Sequence, residues 1–255
     1  MKKIIYYLLC LILLPLLNSC IKWDNYDLPK ETLHGIIIDK NTGDSLNTEI
    51  GANGIRIKMM ELSWTASTVT PWYFYAMQDG SFNNTKVFAG NYNIEPQGAF
   101  VPLVQTDAVG NITKDSSKTV DIKGIANVKF YVEPFLKIAW VGQPVVDTSL
   151  KRITVQFLVT RGTTDPLFQQ ALTDVWLFIN SSSYFVGNNN YDARYSTRKT
   201  GAAAVACLNV VTSIITTGVI PRHNTYYIRI GARTSYLSQA VARYNYTKPI
   251  AVIVP

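Results

Sequence analysis

Eight residues, Gly187-Asn188-Asn189-Asn190-Tyr191-Asp192-Ala193-Arg194, gather three amides, one carboxylate, one guanidinium and one aromatic ring. Asn188, Asn190, Tyr191, Asp192 and Arg194 form a set suited to contact a glycan. Sugar rings present C–H faces that stack on aromatic rings, while Asn, Asp and Arg hydrogen-bond hydroxyls. A calcium loop is a weaker reading, because one carboxylate is few for an ion that takes about six to eight oxygens. The same residues also make good turns, since Asn and Asp tolerate left-handed conformations. Further aromatics fall in two groups. Trp64, Trp72, Tyr73, Phe74 and Tyr75 lie near one expected hairpin, and Tyr184, Phe185, Tyr191 and Tyr195 flank the Asn-rich loop. Alternation favours a core role for Trp72 and Phe74. For Tyr191, in a polar loop, core and ligand contact weigh evenly.

Other chemistry is scarce. There are two histidines, His34 and His223, and neither has C-x-x-C, H-x-H or H-E-x-x-H around it, which argues against zinc. No G-x-S-x-G elbow, phosphate loop or dinucleotide fingerprint occurs. Asp165, Asp174 and Asp192 offer carboxylates, but their spacing gives no reason for two to meet as in a glycosidase. Cys207, among Ala204, Val205, Ala206 and Leu208, reads as a buried small hydrophobe rather than a nucleophile. The expectation is a non-enzymatic protein with no metal and no cofactor.

The N-terminus has its own logic. Lys2 and Lys3 precede an uncharged apolar run from Ile4 to Leu17, too short for a transmembrane helix of about 20 residues but right for a signal-peptide core. Leu17-Asn18-Ser19-Cys20 then resembles a lipobox, with Asn18 standing where a small apolar or hydroxyl residue is usual. Residues 1–19 are read as a signal peptide and Cys20 as the lipidated residue. Acyl chains contribute about 0.8 kcal/mol per buried methylene, and one chain alone anchors only marginally. Two or three chains on Cys20 would hold the mature protein on a membrane without a spanning segment.

With Cys10 removed and Cys20 acylated, Cys207 stands alone and no intramolecular disulfide can form. A mature chain of about 235 residues can bury a core without one. Net charge is +7, or +5 without Lys2 and Lys3, and the basic residues are scattered apart from Arg194, Arg198 and Lys199. This is a solvated surface rather than a nucleic-acid footprint.

Residues 20–31 lack strand or helix periodicity and read as a tether. From Thr32 onward strand signals dominate. Leu33 to Ile38 is β-branched and ends in the turn cluster Asp39-Lys40-Asn41-Thr42-Gly43. Ile55, Ile57 and Met59 alternate with polar or flexible neighbours, as do Val128, Phe130 and Val132. Asp79-Gly80, after the aromatic-rich run Trp72 to Gln78 and before Ser81-Phe82, signals a hairpin. Glu133-Pro134 marks a boundary. After it, Ile153 to Val159 and Tyr226 to Ile230 alternate, Val175 to Ile179 is a continuous apolar run, and Ile250 to Val254 closes the chain. Residues 201–217 fit either a short helix or a buried strand. Short strands spaced by turns predict an all-β fold of two β-sandwiches, residues 32–133 and 134–255.

Leu33-His34-Gly35-Ile36-Ile37-Ile38-Asp39, Thr42-Gly43, Gly54-Ile55-Arg56-Ile57, Asp79-Gly80-Ser81-Phe82 and Ala89-Gly90-Asn91-Tyr92 follow the order of the transthyretin-like, carboxypeptidase-regulatory-like sandwich, which the first unit resembles. Trp23-Asp24-Asn25-Tyr26-Asp27, Gly98-Ala99-Phe100-Val101-Pro102 and Val186-Gly187-Asn188-Asn189-Asn190-Tyr191-Asp192 are similar to a family of two-domain Bacteroidetes lipoproteins of unknown function. Its members resemble accessory lipoproteins of SusC- and SusD-like outer-membrane glycan importers. That resemblance implies an immunoglobulin-like second domain and brings no binding residues with it. Acidic Asp24 and Asp27 after Cys20 resemble the signal that sends such lipoproteins to the outer face of the outer membrane, although a polar linker would look the same.

The sequence therefore suggests an outer-membrane lipoprotein facing the cell exterior. Its leading role is accessory binding of an oligo- or polysaccharide beside a SusC/SusD-like importer. The competing role is a non-catalytic structural or docking subunit that touches no sugar.

Overall fold

The computed structural model describes residues 27–63 and 68–255. Cys20, most of the tether and Trp64 lie outside the described residues. The fold is all-β and built of sandwiches. Its first nine strands are β1 (Glu31–Asp39), β2 (Arg56–Glu61), β3 (Trp72–Tyr75), β4 (Ser81–Val87), β5 (Gly90–Gln97), β6 (Val104–Thr106), β7 (Ile112–Asp115), β8 (Lys118–Ile122) and β9 (Ile125–Val132). One sheet runs β4-β1-β9, with β1 antiparallel to β4 and parallel to β9. The facing sheet runs β3-β2-β5-β8 and is antiparallel. Strands β6 and β7 form a separate small hairpin.

Alternation decides what each strand buries. Strand β9 turns Val128, Phe130 and Val132 inward and Asn127, Lys129 and Tyr131 outward. They join Leu33, Ile37, Ile57, Met59, Phe82, Tyr92 and Ile94 in the first core. Gly35 in β1 has a structural duty there. A Cβ on it would lie 2.0 Å from the Phe82 ring, which fills that space.

The Asp79-Gly80 turn departs from the expected hairpin. It is tight, with Gly80 at φ +79° and its N–H donating to the Met77 carbonyl at 2.9 Å. Yet β3 before it pairs with β2, and β4 after it pairs with β1. The turn therefore carries the chain across from one sheet to the other.

The remaining strands are β10 (Leu136–Asp147), β11 (Arg152–Arg161), β12 (Leu172–Asn180), β13 (Thr197–Thr200), β14 (Thr212–Ile215), β15 (Asn224–Thr234), β16 (Leu237–Ser238), β17 (Val241–Ala242), β18 (Asn245–Tyr246) and β19 (Ile250–Val254). One sheet runs β10-β11-β14. The other runs β13-β12-β15-β18, and β19 shares the outer edge of β15 with β18. The undecided segment 201–217 holds both alternatives in turn: a one-turn helix α1 (Ala202–Val205), then β14. Cys207 follows α1 and is buried, its thiol 3.3 Å from the Ala203 carbonyl. No helix among the described residues is long and apolar enough to cross a membrane.

Strands β12 and β15 bury both faces. Val175, Leu177, Ile179, Tyr226, Ile228 and Ile230 join the second core with Ile153, Val155, Phe157 and Val159 of β11. The opposite face carries Phe178 and Arg229. Phe178 clusters there with Val186, Tyr244 and Tyr246. Gly231 makes room on that face, since a Cβ would fall within 3 Å of the Phe178 and Tyr246 rings.

Strands of residues 31–132 ladder only with one another, and so do those of 136–254. Between them, segment 99–101 lies beside 133–135: Val101 N–H donates to the Glu133 carbonyl at 2.9 Å and Phe135 N–H to the Ala99 carbonyl at 3.1 Å. Phe100 enters the first core, while Ala99 and Val101 enter the second. Gly98-Ala99-Phe100-Val101-Pro102 thus joins the two cores by the same alternation that builds a strand.

Candidate functional site

The polar chemistry of the molecule converges where the outer face of β12 and β15 meets the loop 42–54. Glu49 is buried and accepts hydrogen bonds from the Tyr246 hydroxyl at 2.7 Å, the Ile50 N–H at 3.0 Å and the Asn189 N–H at 3.3 Å. Arg229 is fully buried beside it. Its Nε donates to the Thr247 carbonyl at 2.7 Å and its Nη1 to the Thr48 carbonyl at 2.9 Å. Its guanidinium lies 4.1 Å from the centre of the Tyr246 ring. Burial pulls the Arg229 pKa down to about 10, against the pull of Tyr246 and Glu49, and pushes the Tyr246 hydroxyl well above its usual range. Arg243 Nη1 adds a bond to the Ala52 carbonyl at 2.7 Å. A buried charge costs free energy unless it is hydrogen-bonded, so this network favours one seating of the loop on the sheet.

The Asn-rich loop is part of that seating. The Asn188 N–H donates to the Tyr246 hydroxyl at 3.2 Å. Asn189, which the sequence set leaves out, is more engaged: its amide nitrogen reaches the Ile50 carbonyl and its oxygen accepts from Asn53, both at 2.7 Å. Asn190 donates to the Phe185 carbonyl at 2.7 Å and accepts from the Asn180 amide at 2.8 Å. Tyr191 is half-buried, its ring 5.4 Å from both Trp176 and Phe178. Asp192 pairs with Arg194 at 2.7 Å, and that bond holds the carboxyl below the usual carboxylate range. Exposed Arg194 also lies over the Tyr195 ring. The structure thus brings Asp192 and Arg194 together and turns the amides of Asn189 and Asn190 toward the protein. The five residues do not form an open platform.

What Asn190 holds in place is more open. Asn180 accepts from the Ser182 and Ser183 N–H groups at 2.7 and 3.2 Å, and Asn190 fixes Phe185 from the other side. Together they shape a turn that presents Tyr184 and Phe185 at 45% and 41% exposure. Tyr184 stands edge-on to Tyr227 and to Phe185, at 5.8 and 6.2 Å between ring centres. Gln78 anchors the turn from the other side of the seam, donating to the Tyr184 carbonyl at 3.2 Å. The two rings line a cleft of about 520 Å³ together with Asn47, Met77, Asp79, Ser81 and Lys248. Asp79 accepts from the Ser81 hydroxyl at 2.6 Å through one oxygen. Asn47 has no side-chain partner among the described residues. Such a cleft offers two flat apolar faces and several short-range donors and acceptors. Residues 78 and 184 lie too far apart in sequence for spacing to link them, although Tyr184 and Phe185 already stood out as aromatics beside the Asn-rich loop.

Comparison with known proteins gives the family. The model of the N-terminal domain of DUF3823, a protein of unknown function, matches residues 31–133. A crystal structure of a DUF3823 family protein from Bacteroides uniformis is 33% identical, covers 89% of this chain and 100% of that one, and superposes with a TM-score of 0.81. A structure described as that of a carbohydrate-binding candidate, also from Bacteroides uniformis, is 24% identical with the same coverage and a TM-score of 0.66. A DUF3823 family protein from Parabacteroides merdae shares the fold at 17% identity, the same coverage and a TM-score of 0.61. No curated protein matches the chain. On the identity and coverage of the first of these structures, this chain belongs to the DUF3823 family.

Proposed function

We propose that this protein is an exported outer-membrane lipoprotein, anchored through Cys20 and facing the cell exterior, that binds glycan as an accessory component of a SusC/SusD-like importer. Residues 32–133 form a transthyretin-like unit and residues 134–255 an immunoglobulin-like one in this reading. The ladder pairing within each stretch supports that division. The observation that carries the binding role is the exposed Tyr184–Phe185 pair, held by Asn180, Asn190 and Gln78 over a cleft with hydrogen-bonding walls. Exposed aromatics cost solvation, and rigid ones save binding entropy, so a braced pair beside polar groups suits a hydroxyl-rich ligand. The carbohydrate-binding candidate of the same fold adds modest weight.

The test is calorimetry of the mature protein against a broad set of polysaccharides. Affinity is expected in the range of about 10 μM to 1 mM, because an open cleft leaves much of the ligand wet. Tyr184→Ala is expected to weaken binding by about 1–3 kcal/mol with little change in melting temperature, since a half-exposed ring adds little to the core. If the wild-type protein binds none of them, the docking-subunit role stands in its place. Anchoring has a separate check. Cys20→Ala is expected to abolish lipid labelling and move the protein from the membrane to the soluble fraction, and unchanged retention would refute the anchor.

A further inference from the structure

The cleft beside Tyr184 is not isolated. A second depression of about 340 Å³ opens between the loop 42–47 and the strands β10 and β11, lined by Thr42, Lys137, Ala139 and Thr160 among others. Ser45 and Asn47 line both depressions. They lie two apart around buried Leu46, whose N–H donates to the Ile37 carbonyl at 2.8 Å. In an extended segment residues i and i+2 point the same way, so Ser45 and Asn47 stand side by side between the two depressions. The loop that carries them is held between Ile37 and Gln78, because the Thr48 N–H also donates to the Gln78 carbonyl at 2.9 Å. The division between the two depressions is therefore as fixed as their walls.

Charge narrows the ligand. Asp39 and Lys137, both in the second depression, face each other at 3.8 Å and largely cancel. Exposed Asp44 and Asp79 remain, against the one exposed lysine of the lining, Lys248. The groove is thus slightly acidic although the whole chain is basic. A polyanionic chain would meet two carboxylates and gain one cation, which disfavours it.

We infer that the two depressions form one site for an internal stretch of a neutral polysaccharide, crossing Ser45 and Asn47, rather than a pocket for a single sugar unit. This rests on the glycan-binding reading above. Each depression alone is within the size range of small-ligand sites, so a ligand that uses both must be a chain.

The probes are neutral oligosaccharide ladders of one to six units, from β-1,3-glucan, β-1,4-glucan, α-1,4-glucan, α-mannan and xylan, with an oligogalacturonate ladder as the anionic control. Affinity is read by calorimetry on the mature chain. For the ladder that binds, the longest members are expected to bind about tenfold or more tighter than the shortest, a gain of about 1.4 kcal/mol. Ala139→Trp places a ring in the second depression from an exposed position on β10; a ring there either fills the space or stacks on the chain, so the variant is expected to shift the long-to-short ratio severalfold. Thr42→Trp, from an exposed loop position, serves as the second variant. Tyr184-dependent binding that is equal for short and long members would overturn the inference and leave the glycan reading standing. So would a long-to-short ratio that both tryptophan variants leave unchanged, or a preference for the oligogalacturonates. Absence of binding to every ladder would overturn both.

Discussion

Gly187 is a glycine because Glu49 occupies the space a side chain would need. A Cβ there would lie 2.4 Å from Glu49 Oε2. The end of a glutamate can usually move aside, but this one is buried and fixed by Tyr246, Ile50 and Asn189. Gly187→Ala is therefore expected to displace the carboxylate from at least one donor and cost about 1–3 kcal/mol in urea unfolding, the range for leaving a buried polar group unpaired. A change within about 0.5 kcal/mol would show that Glu49 relaxes freely and that the network is looser than its distances suggest. The loop around Gly187 was legible as a polar turn rich in hydrogen-bonding groups. Its partner was not, because Glu49 lies about 140 residues earlier and nothing local points to it. Composition told which groups the loop offers; the fold decided that two of its asparagines serve the protein and that Tyr184 and Phe185 stay open.

Strands were the most legible elements, and their pairing the least. Alternation in β9 and β11 named the inward residues correctly, since Val128, Phe130, Val132, Ile153, Val155, Phe157 and Val159 are all buried. In β12 and β15 the same pattern hid a second face. Tyr226, Ile228 and Ile230 face the second core, while Arg229 between them is also buried, against the loop 42–54. A charged residue inside an alternating strand normally signals solvent, so period-two reading places it outside. The Asp79-Gly80 turn failed as a hairpin for a related reason. Turn chemistry fixes the local backbone, but the partner of each flanking strand is set by packing: Phe74 lies opposite Ile57 in one sheet, and Phe82 lies opposite Gly35 in the other. Segment 201–217 stayed ambiguous because a four-residue helix and a four-residue strand both fall below the length at which periodicity discriminates.

At the scale of the whole molecule the buried tyrosines tie stability to alkaline pH. Tyr92 in the first core, Tyr244 beside the second, and Tyr246 at the seam are all buried. Burial is the first cause of the shift in each, and the acidic neighbours Glu61, Asp174 and Glu49 add to it; Tyr92 is pushed up to about 12 and the other two are raised further. In the unfolded chain the same phenols titrate near about 10. Between these values the folded protein holds protons that the unfolded chain has released, so the unfolded state is favoured as pH rises. The stability these groups contribute is whole below about pH 10 and is lost as pH climbs toward and past 12. Arg229 works in the opposite direction. Held down to about 10, it releases its proton from the folded protein before unfolded arginine would, and offsets one tyrosine in the same window. Burial lowers Arg161 and Arg243 in the same way and raises Tyr226 and Tyr236, so five phenols against three guanidiniums leave a net loss. Urea unfolding at pH 8, 10 and 11 is expected to give a midpoint that falls steeply above pH 10, and Tyr92→Phe, which removes one titrating group, is expected to shallow that fall while lowering stability slightly at pH 8 through the lost bond to the Phe88 carbonyl. A midpoint that is level to pH 11, or a spectrophotometric titration in which all thirteen tyrosines of the mature chain ionise together near pH 10, would mean that these phenols reach solvent and that the seam opens more readily than its packing implies.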